Sequence, residues 1–175
     1  MPPPWQTKDD RIRGGASQSY LTAIEGTTSA RFHGRLDTST LGGAGFASQF
    51  SPEDAPPPQT APHAEKQPAT DWFWALASYD GIELVMGESN DGKEYTFILR
   101  DEKEQEKRSD GRGKAGISWE VKFKPADCNI RAGDSCRYMT LPWQRFRATY
   151  RGKEVESPAK LKTDEIRRIG FMMRR

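Results

Sequence analysis

The stretch Asp10–Leu21, DRIRGGASQSYL, decides between two kinds of protein. Its adjacent glycines, Gly14 and Gly15, follow a charged run and precede small polar residues and a strand-like run that starts at Tyr20. Paired glycines permit positive φ and allow backbone or ligand to come close. The segment is therefore either a phosphate-binding loop or a fixed turn packed under a β-sheet.

The remaining sequence favours the turn, because apolar and polar residues alternate with a period of two in many places. Eight segments are expected to form strands: 20–25, 30–36, 46–50, 82–86, 95–99, 119–124, 136–141 and 168–173. Trp119 and Phe123 are predicted to lie in the core, and only 163–168 has weak helical character. With Gly, Asn and Asp turns between the strands, the pattern predicts an all-β antiparallel sandwich.

Composition indicates one domain with loops that do not pack. The chain has 175 residues, and 34% hydrophobic content is low for a compact domain. Residues 51–70 hold six of the twelve prolines and are predicted to be a disordered insert. Residues 101–116 mix acidic and basic side chains with glycines and are predicted to be a mobile loop. Outside these two segments, the chain is predicted to consist mainly of β-strands.

Charge and hydropathy exclude several partners. Lys and Arg number 27 against 25 Asp and Glu, a balance that does not indicate nucleic-acid binding. No apolar run approaches the roughly 18–20 residues that span a bilayer, so no transmembrane segment is expected. The start, MPPPWQTKDD, reads neither as a signal peptide nor as an amphipathic presequence. Cys128 and Cys136 are expected to be reduced, with a disulfide as the alternative.

Catalytic motifs are sparse. The sequence contains no G-x-S-x-G, no H-E-x-x-H and no G-K-[ST], and its two histidines are His33 and His63. His63 lies in the proline-rich insert, and His33 is expected on the polar face of a strand. A pair of carboxylates about 5–10 Å apart stays open as an acid/base arrangement. We predict no enzyme activity, no cofactor and no metal.

Aromatic residues offer a different chemistry. Trp72 and Trp74 stand close together in DWFWAL, and Trp143 follows later. Planar rings on a sandwich can stack on sugars or anchor a partner protein. Consecutive aromatic residues cannot all point inward from one strand, so at least one ring is expected to be exposed or at an edge. A carbohydrate-binding β-sandwich module is therefore the alternative to a protein-binding one.

Five segments follow one another in a specific order: DRIRGGASQSYL, RFHGRLDTSTLGGAGFAS, YDGIELVMGESNDGKEYTFILRD, LPWQRFRATYRGKEV and IRRIGFMM. This series resembles the domain of complex I intermediate-associated protein 30, from about Trp5 to Met173. The resemblance implies one galactose-binding-like jelly-roll sandwich over 5–175. It also implies a non-enzymatic assembly factor, a chaperone for mitochondrial respiratory complex I (NADH:ubiquinone oxidoreductase), whose partners are assembly intermediates and other assembly factors.

The resemblance and the aromatic cluster together give the residues expected to define the fold or contact a partner: Asp10, Arg13, Gly14, Gly15, Ser17, Trp72, Trp74, Asp91, Gly92 and Trp143. Of these, Trp72 and Trp74 come from the aromatic cluster and the others from the resemblance. Among them, Asp10 and Arg13 are expected to reach a partner. The family brings no catalytic residues to carry over.

Two features depart from the family pattern. The resemblance implies a mitochondrial location, peripheral to the inner membrane through partners, yet no presequence is visible, which leaves the cytoplasm as the alternative. The family domain also continues past IGFMM to one more strand. A sandwich that lacks its last C-terminal strand is therefore expected, with an unpaired edge.

Overall fold

The computed structural model describes residues 5–53, 72–87, 91–103, 115–156 and 159–175, and these form antiparallel β-structure. The strands are β1 (Gln6–Thr7), β2 (Gln18–Ala23), β3 (Ala30–Arg35), β4 (Phe46–Phe50), β5 (Gly81–Met86), β6 (Tyr95–Arg100), β7 (Ile117–Phe123), β8 (Asn129–Ile130), β9 (Arg137–Pro142), β10 (Arg147–Tyr150), β11 (Lys153–Glu154) and β12 (Arg168–Arg174). Short 3-10 turns cover Asp10–Arg13, Pro125–Asp127 and Trp143–Arg145. The predicted all-β fold is confirmed.

The strands form three sheets. The large sheet has seven strands in the order β1-β4-β12-β6-β7-β10-β11, and a second sheet has the order β5-β9-β8. The hairpin β2-β3 forms the third. In the large sheet β12 lies between β4 and β6, so that Phe171 pairs with Gln49 on one side and with Phe97 on the other. This arrangement is consistent with a β-sandwich.

One face of the large sheet packs against the three-stranded sheet and forms the main core. The buried side chains of this core come from both sheets and from the segments that join them: Leu84, Phe97, Leu99, Trp119, Val121, Phe123, Cys128, Met139, Leu141, Phe146, Ala148 and Ile166. The predicted core positions Trp119 and Phe123 are confirmed, at 8% and 6% exposure. The hairpin covers the same face, since the Phe32 ring contacts Tyr95 and Phe171.

The segment 163–168 forms no helix. Ile166 is fully buried and exchanges backbone hydrogen bonds with Trp74, in an isolated antiparallel bridge. Burial against the core therefore outweighs the weak helical character of these residues.

The two predicted loops lie mostly outside the described residues, which omit 54–71 and 104–114. Their disorder and mobility stay predictions, as does the lack of a last C-terminal strand. In the described part of the chain, the structure contains no helix with the length and apolar character needed to cross a bilayer. Both cysteines are free thiols, and burial raises the pKa of the Cys128 thiol.

Candidate functional site

The opening motif begins with a buried carboxylate. Asp10 is fully buried, and its Oδ1 accepts a hydrogen bond from the backbone N–H of Ser17 at 2.9 Å. Its Oδ2 accepts two more, from the Ser17 hydroxyl at 2.6 Å and from the Phe46 backbone N–H at 3.1 Å. Asp10 thus fastens the 3-10 turn to the residue that precedes β2 and to the first residue of β4.

The neighbouring carboxylate repeats this arrangement one residue earlier. Asp9 accepts hydrogen bonds from the backbone N–H and hydroxyl of Ser19, at 2.9 and 2.7 Å, and from the Ser48 backbone N–H at 2.9 Å. We call Asp9 and Asp10, with the serines that bind them, the carboxylate clip. Because hydrogen bonds to ionised groups are strong, the clip holds the turn rigidly against β2 and β4.

The two glycines that follow the 3-10 turn have different structural roles beside the clip. Gly14 ends the 3-10 turn in the left-handed region, with φ of 85°. Gly15 leaves room for the carboxylate, because a Cβ placed on it would lie 2.3 Å from Asp10 Oδ1. The space beside Gly15 is therefore filled by Asp10, and the motif is a fixed turn rather than a phosphate-binding loop.

The expectation that Asp10 reaches a partner is wrong. Its side chain is fully buried, and its carboxylate is used by internal donors from Ser17 and Phe46. In the sequence, Asp10 stands in a charged run, which is typical of solvent-exposed residues. The serine hydroxyls and backbone N–H groups that make its burial favourable come together only in the fold.

The rest of the turn is exposed. Residues Arg11, Ile12 and Arg13, which we call the exposed tip, are all exposed. Ile12 is 56% exposed, and the Arg13 guanidinium lies 5.5 Å from the centre of the Phe46 ring. Arg11 is paired with Asp9 at 3.6 Å. The tip is a basic and apolar projection on a rigid base, and a partner contact through Arg13 stays a prediction.

The tryptophans of the motif set are half-buried. Trp74 and Trp143 pack against the core, and Trp72 precedes the bridge that joins Trp74 to Ile166. The Trp143 indole N–H donates to the Tyr79 carbonyl at 2.5 Å. These rings lie at the edges of the core, and their role in binding stays a prediction.

Asp91 and Gly92 form a separate structural unit before β6. Asp91 accepts hydrogen bonds from the Tyr95 hydroxyl at 2.5 Å and from the Lys93 backbone N–H at 3.0 Å, while Gly92 adopts φ of 67°. Burial alone would raise the pKa of Asp91, but the hydrogen bonds from Tyr95 and Lys93 outweigh it, so that the pKa is lowered. Burial and the Asp91 hydrogen bond raise the pKa of Tyr95. This pair shapes the turn and lies apart from the clip in sequence and in its contacts.

Metal ligands do not converge within the described ranges, where no group of three or more His, Cys, Asp or Glu side chains could hold an ion. His33 is exposed, with its ring stacked on Tyr20 and its Nε2 3.0 Å from the Thr22 hydroxyl. This places His33 on the polar face of its strand, as expected.

One site has no counterpart among the predicted residues. A cavity of about 430 Å³ opens on the side of the large sheet that faces away from the main core, around the buried side chain of Glu120. Its lining consists of Glu120, Val121, Lys122, Arg145, Arg147, Thr149, Gly152, Glu154 and Arg174. Alternation along β7 correctly turns Glu120 away from Trp119. Nothing in the sequence indicates that β10 and β12 bring Thr149 and Arg174 to it.

Comparison with known proteins identifies the family. The family model described as Complex I intermediate-associated protein 30 (CIA30) matches residues 2–175. The chain is also 36% identical over 169 residues to an uncharacterized protein of Schizosaccharomyces pombe, an alignment that covers 95% of this chain. It spans 66% of the length of that relative. The match includes the clip, the exposed tip and the Glu120 cavity, and it confirms the resemblance. The chain therefore belongs to the complex I intermediate-associated protein 30 family.

Proposed function

We propose that this protein is a non-enzymatic assembly factor for mitochondrial respiratory complex I, a chaperone that binds assembly intermediates and other assembly factors. The observation that carries the proposal is the family match over residues 2–175. The family is described by its association with complex I intermediates, and such an association takes place between proteins. The function therefore requires an ordered and exposed protein-binding surface.

The exposed tip has the properties of such a surface. Ile12 is a large apolar side chain at 56% exposure, and Arg11 and Arg13 stand on either side of it. Arginine is frequent at the energetically important positions of protein interfaces. Because the clip already fixes the backbone of the turn, binding there costs less conformational entropy than binding through a flexible loop. The chemistry fits a partner surface that is apolar with acidic residues around it.

The proposed cellular location of the protein follows from its proposed partner, complex I. Complex I assembles at the mitochondrial inner membrane, so we propose a mitochondrial location, with attachment to the membrane through partner proteins. Fractionation of mitochondria tests this: the protein is expected with the membranes and released by salt or alkaline carbonate. A purely cytoplasmic distribution would contradict it.

Co-purification tests the function itself. Tagged full-length protein is expected to recover complex I subunits in partly assembled forms from solubilised mitochondria, and deletion of its gene is expected to lower fully assembled complex I on native gels. The proposal fails if no intermediate is recovered and complex I is normal after deletion.

A pair of variants tests the exposed tip. Ile12→Asp is expected to lower the recovery of intermediates at unchanged melting temperature, because it places a charge in the contact. Ile130→Asp is the matched control, because Ile130 is 60% exposed and lies in β8 of the three-stranded sheet, outside the exposed tip. Equal recovery with both variants would assign the contact to another surface.

A glycan panel separates this function from the carbohydrate-binding alternative. Tryptophan fluorescence is expected to stay flat across the panel, because Trp74 and Trp143 are held in packing contacts with the core. A saturable change with one sugar that is lost in Trp72→Ala would favour the alternative.

A further inference from the structure

The hairpin of β2 and β3 has two edges, and its hydrogen-bond register shows which backbone groups lie on each. The Ile24 N–H donates to the Ser29 carbonyl at 2.9 Å, in the same register as the rest of the hairpin. Hydrogen-bonded and non-hydrogen-bonded pairs alternate in an antiparallel ladder, so odd-numbered residues of β3 bond to even-numbered residues of β2. The backbone groups of Ala30, Phe32 and Gly34 therefore point away from β2.

The outer edge of β2 is covered by the carboxylate clip. The Ser19 N–H donates to Asp9 Oδ2 at 2.9 Å, and the Ser19 carbonyl accepts a hydrogen bond from Gln49 Nε2 at 2.8 Å. Just before the strand, the Ser17 N–H donates to Asp10 at 2.9 Å. These contacts use the backbone groups that an added strand would need, so this edge is closed where the clip contacts it.

The outer edge of β3 has different surroundings. Within the described ranges, β3 pairs with β2 and with no other strand. Ala30 and Gly34 are exposed, and Phe32 is half-buried because its ring packs inward against Tyr95 and Phe171. We call the outward backbone groups of Ala30, Phe32 and Gly34 the free edge. Such groups are a template for pairing with another chain.

A row of basic side chains runs beside the free edge. Arg31, His33 and Arg35 alternate with the inward-facing residues of β3, and all three are exposed. The two arginines are four residues apart, which places them roughly 13 Å from each other along an extended strand. Neither arginine side chain has a hydrogen-bond or ion-pair partner among the described residues.

The middle of this row is already engaged inside the hairpin. The His33 ring stacks on Tyr20 at 5.3 Å, and its Nε2 lies 3.0 Å from the Thr22 hydroxyl. The strands β2 and β3 contain no carboxylate, and the Asp37 carboxylate beyond β3 accepts hydrogen bonds from the neighbouring residue Ser39. The arginines at the two ends of the row are therefore the charged groups available to a partner.

Charge and backbone chemistry together select the occupant of this edge. A second copy of β3 that paired antiparallel about His33 would place Arg31 opposite Arg35, and like charges directly opposite are destabilising. Single-stranded nucleic acid could contact the arginines but has no row of alternating N–H and C=O groups for the free edge. An extended acidic segment of a protein matches both the edge and the charges.

We propose that the free edge of β3 binds an extended acidic segment of a partner protein as an added antiparallel strand. The backbone of the segment bonds to Phe32 and Gly34, and carboxylates four residues apart lie opposite Arg31 and Arg35. These opposite positions are non-hydrogen-bonded pairs, in which cross-strand side chains are closest. The proposal goes beyond complex I assembly, because purified protein and a peptide test it without any assembly intermediate.

Calorimetric titration of the full chain with a synthetic peptide tests the edge. The peptide contains Glu-Val-Thr-Val-Glu between serines and is blocked at both ends. In the proposed pairing the valine N–H groups face β3, whereas the threonine N–H faces solvent. N-methylation of both valines is therefore expected to weaken binding at least about tenfold, because two hydrogen bonds are lost.

A peptide with N-methylation at the threonine is the matched control and is expected to keep its affinity. Equal binding by the two methylated peptides would overturn strand addition. Absence of saturable binding by the unmodified peptide up to about 1 mM would overturn the proposal as a whole.

A double variant tests the charges. Arg31→Gln combined with Arg35→Gln is expected to weaken peptide binding about tenfold, because two cross-strand pairs of opposite charge are lost. Lys153→Gln is the control, since Lys153 is exposed and lies in β11 of the large sheet, and its effect is expected to stay below about twofold. Equal affinities of the double variant and the control would overturn the role of the arginines.

A single-stranded oligouridine separates a protein partner from a nucleic acid. It is expected to bind the full chain more weakly than the peptide, because it cannot pair with the free edge. Tighter binding by the oligouridine that is lost in the double variant would assign this face to nucleic acid and overturn the proposal.

Discussion

The carboxylate clip and the Glu120 cavity both contain buried acidic side chains, but the two regions differ in how those side chains are satisfied. Asp10 accepts three hydrogen bonds from backbone and hydroxyl donors. Glu120 accepts one hydrogen bond and forms one ion pair. Backbone and hydroxyl donors therefore satisfy Asp10, whereas Glu120 depends on one hydroxyl donor and on a guanidinium that is 27% exposed.

This difference determines how strongly each region depends on the charge of its carboxylate. A buried carboxylate with all its donors supplied by the protein stabilises the fold and has no capacity left for a ligand. A buried carboxylate whose second partner is a partly exposed guanidinium contributes less to the fold, because that guanidinium can be solvated when the carboxylate charge is removed. The comparison predicts a large loss of stability in one region and a small change in the other when each carboxylate is replaced by an amide.

Asp10→Asn is expected to have the largest effect, a loss of about 3 kcal/mol in the free energy of unfolding. The amide group would place its own N–H donors against the N–H of Ser17 or Phe46, which now donate to the carboxylate. Urea denaturation measures the loss. A cost below about 1 kcal/mol would show that the clip is not a main support of the fold.

Gly15→Ala is expected to cost about 2 kcal/mol, because its Cβ would stand 2.3 Å from Asp10 Oδ1 and displace the carboxylate. In an Asp10→Ala background the clash is absent, so the same substitution is expected to cost less than about 0.5 kcal/mol. A double-mutant cycle measured by urea denaturation gives both values. Additive costs would separate the glycine from the clip.

Glu120→Gln is expected to change the free energy of unfolding by less than about 1 kcal/mol. Thr149 can donate to the amide oxygen as it does to Oε1, and Arg174, whose side chain is 27% exposed, can turn to solvent. The same denaturation experiment checks the value beside Asp10→Asn. A loss as large as that of Asp10→Asn would remove the distinction between the two regions.

Loss of the hydrogen bond between Asp91 and Tyr95, both partly exposed, is expected to have the smallest effect. It is expected to lower the free energy of unfolding by less than about 1 kcal/mol. The lowered pKa of Asp91 means that its stabilisation is present above about pH 4 and is lost as pH falls through the folded pKa. The raised pKa of Tyr95 means that its stabilisation is present below about pH 10 and is lost as pH rises toward the folded pKa.

Melting temperatures between about pH 3 and pH 11 test this pair in Tyr95→Phe, which is expected to lose part of both dependences. Part of the alkaline dependence is expected to remain, because the Asp134 hydrogen bond also raises the pKa of Tyr138. An unchanged profile in Tyr95→Phe would contradict the assignment.

Local patterns predicted much of the fold. Trp119 and Phe123 alternate with charged residues within one strand, and the structure buries both, because alternation is a property of neighbouring residues. The conformation of Ile166 was harder to predict from the sequence. It depends on backbone hydrogen bonds to Trp74, which is distant in the chain. Pattern alone carries no information about such partners.

The candidate sites were less predictable for the same reason. The sequence singled out Asp10 with its glycines but placed it at the surface, since the donors from Ser17 and Phe46 are not adjacent to it in sequence. The alternation in β7 places Glu120 on the side of the sheet opposite Trp119 but gives no information about its burial. Its burial depends on Thr149, which is 29 residues away, and on Arg174 from another strand.

The position of β12 between β4 and β6 bears on how the protein folds during synthesis. Strand β4 pairs with β1 on one side and is joined to β6 and the strands beyond it only through β12. Strand β12 is made more than a hundred residues later, as the Arg168 contact with Ser51 at a separation of 117 residues illustrates. Until Arg168–Arg174 leaves the ribosome, the hydrogen-bonding edges of β4 and β6 have no partner between them. Such long-range pairing slows folding and exposes strand edges to aggregation. The nascent chain is therefore expected to carry unpaired strand edges until β12 has been made.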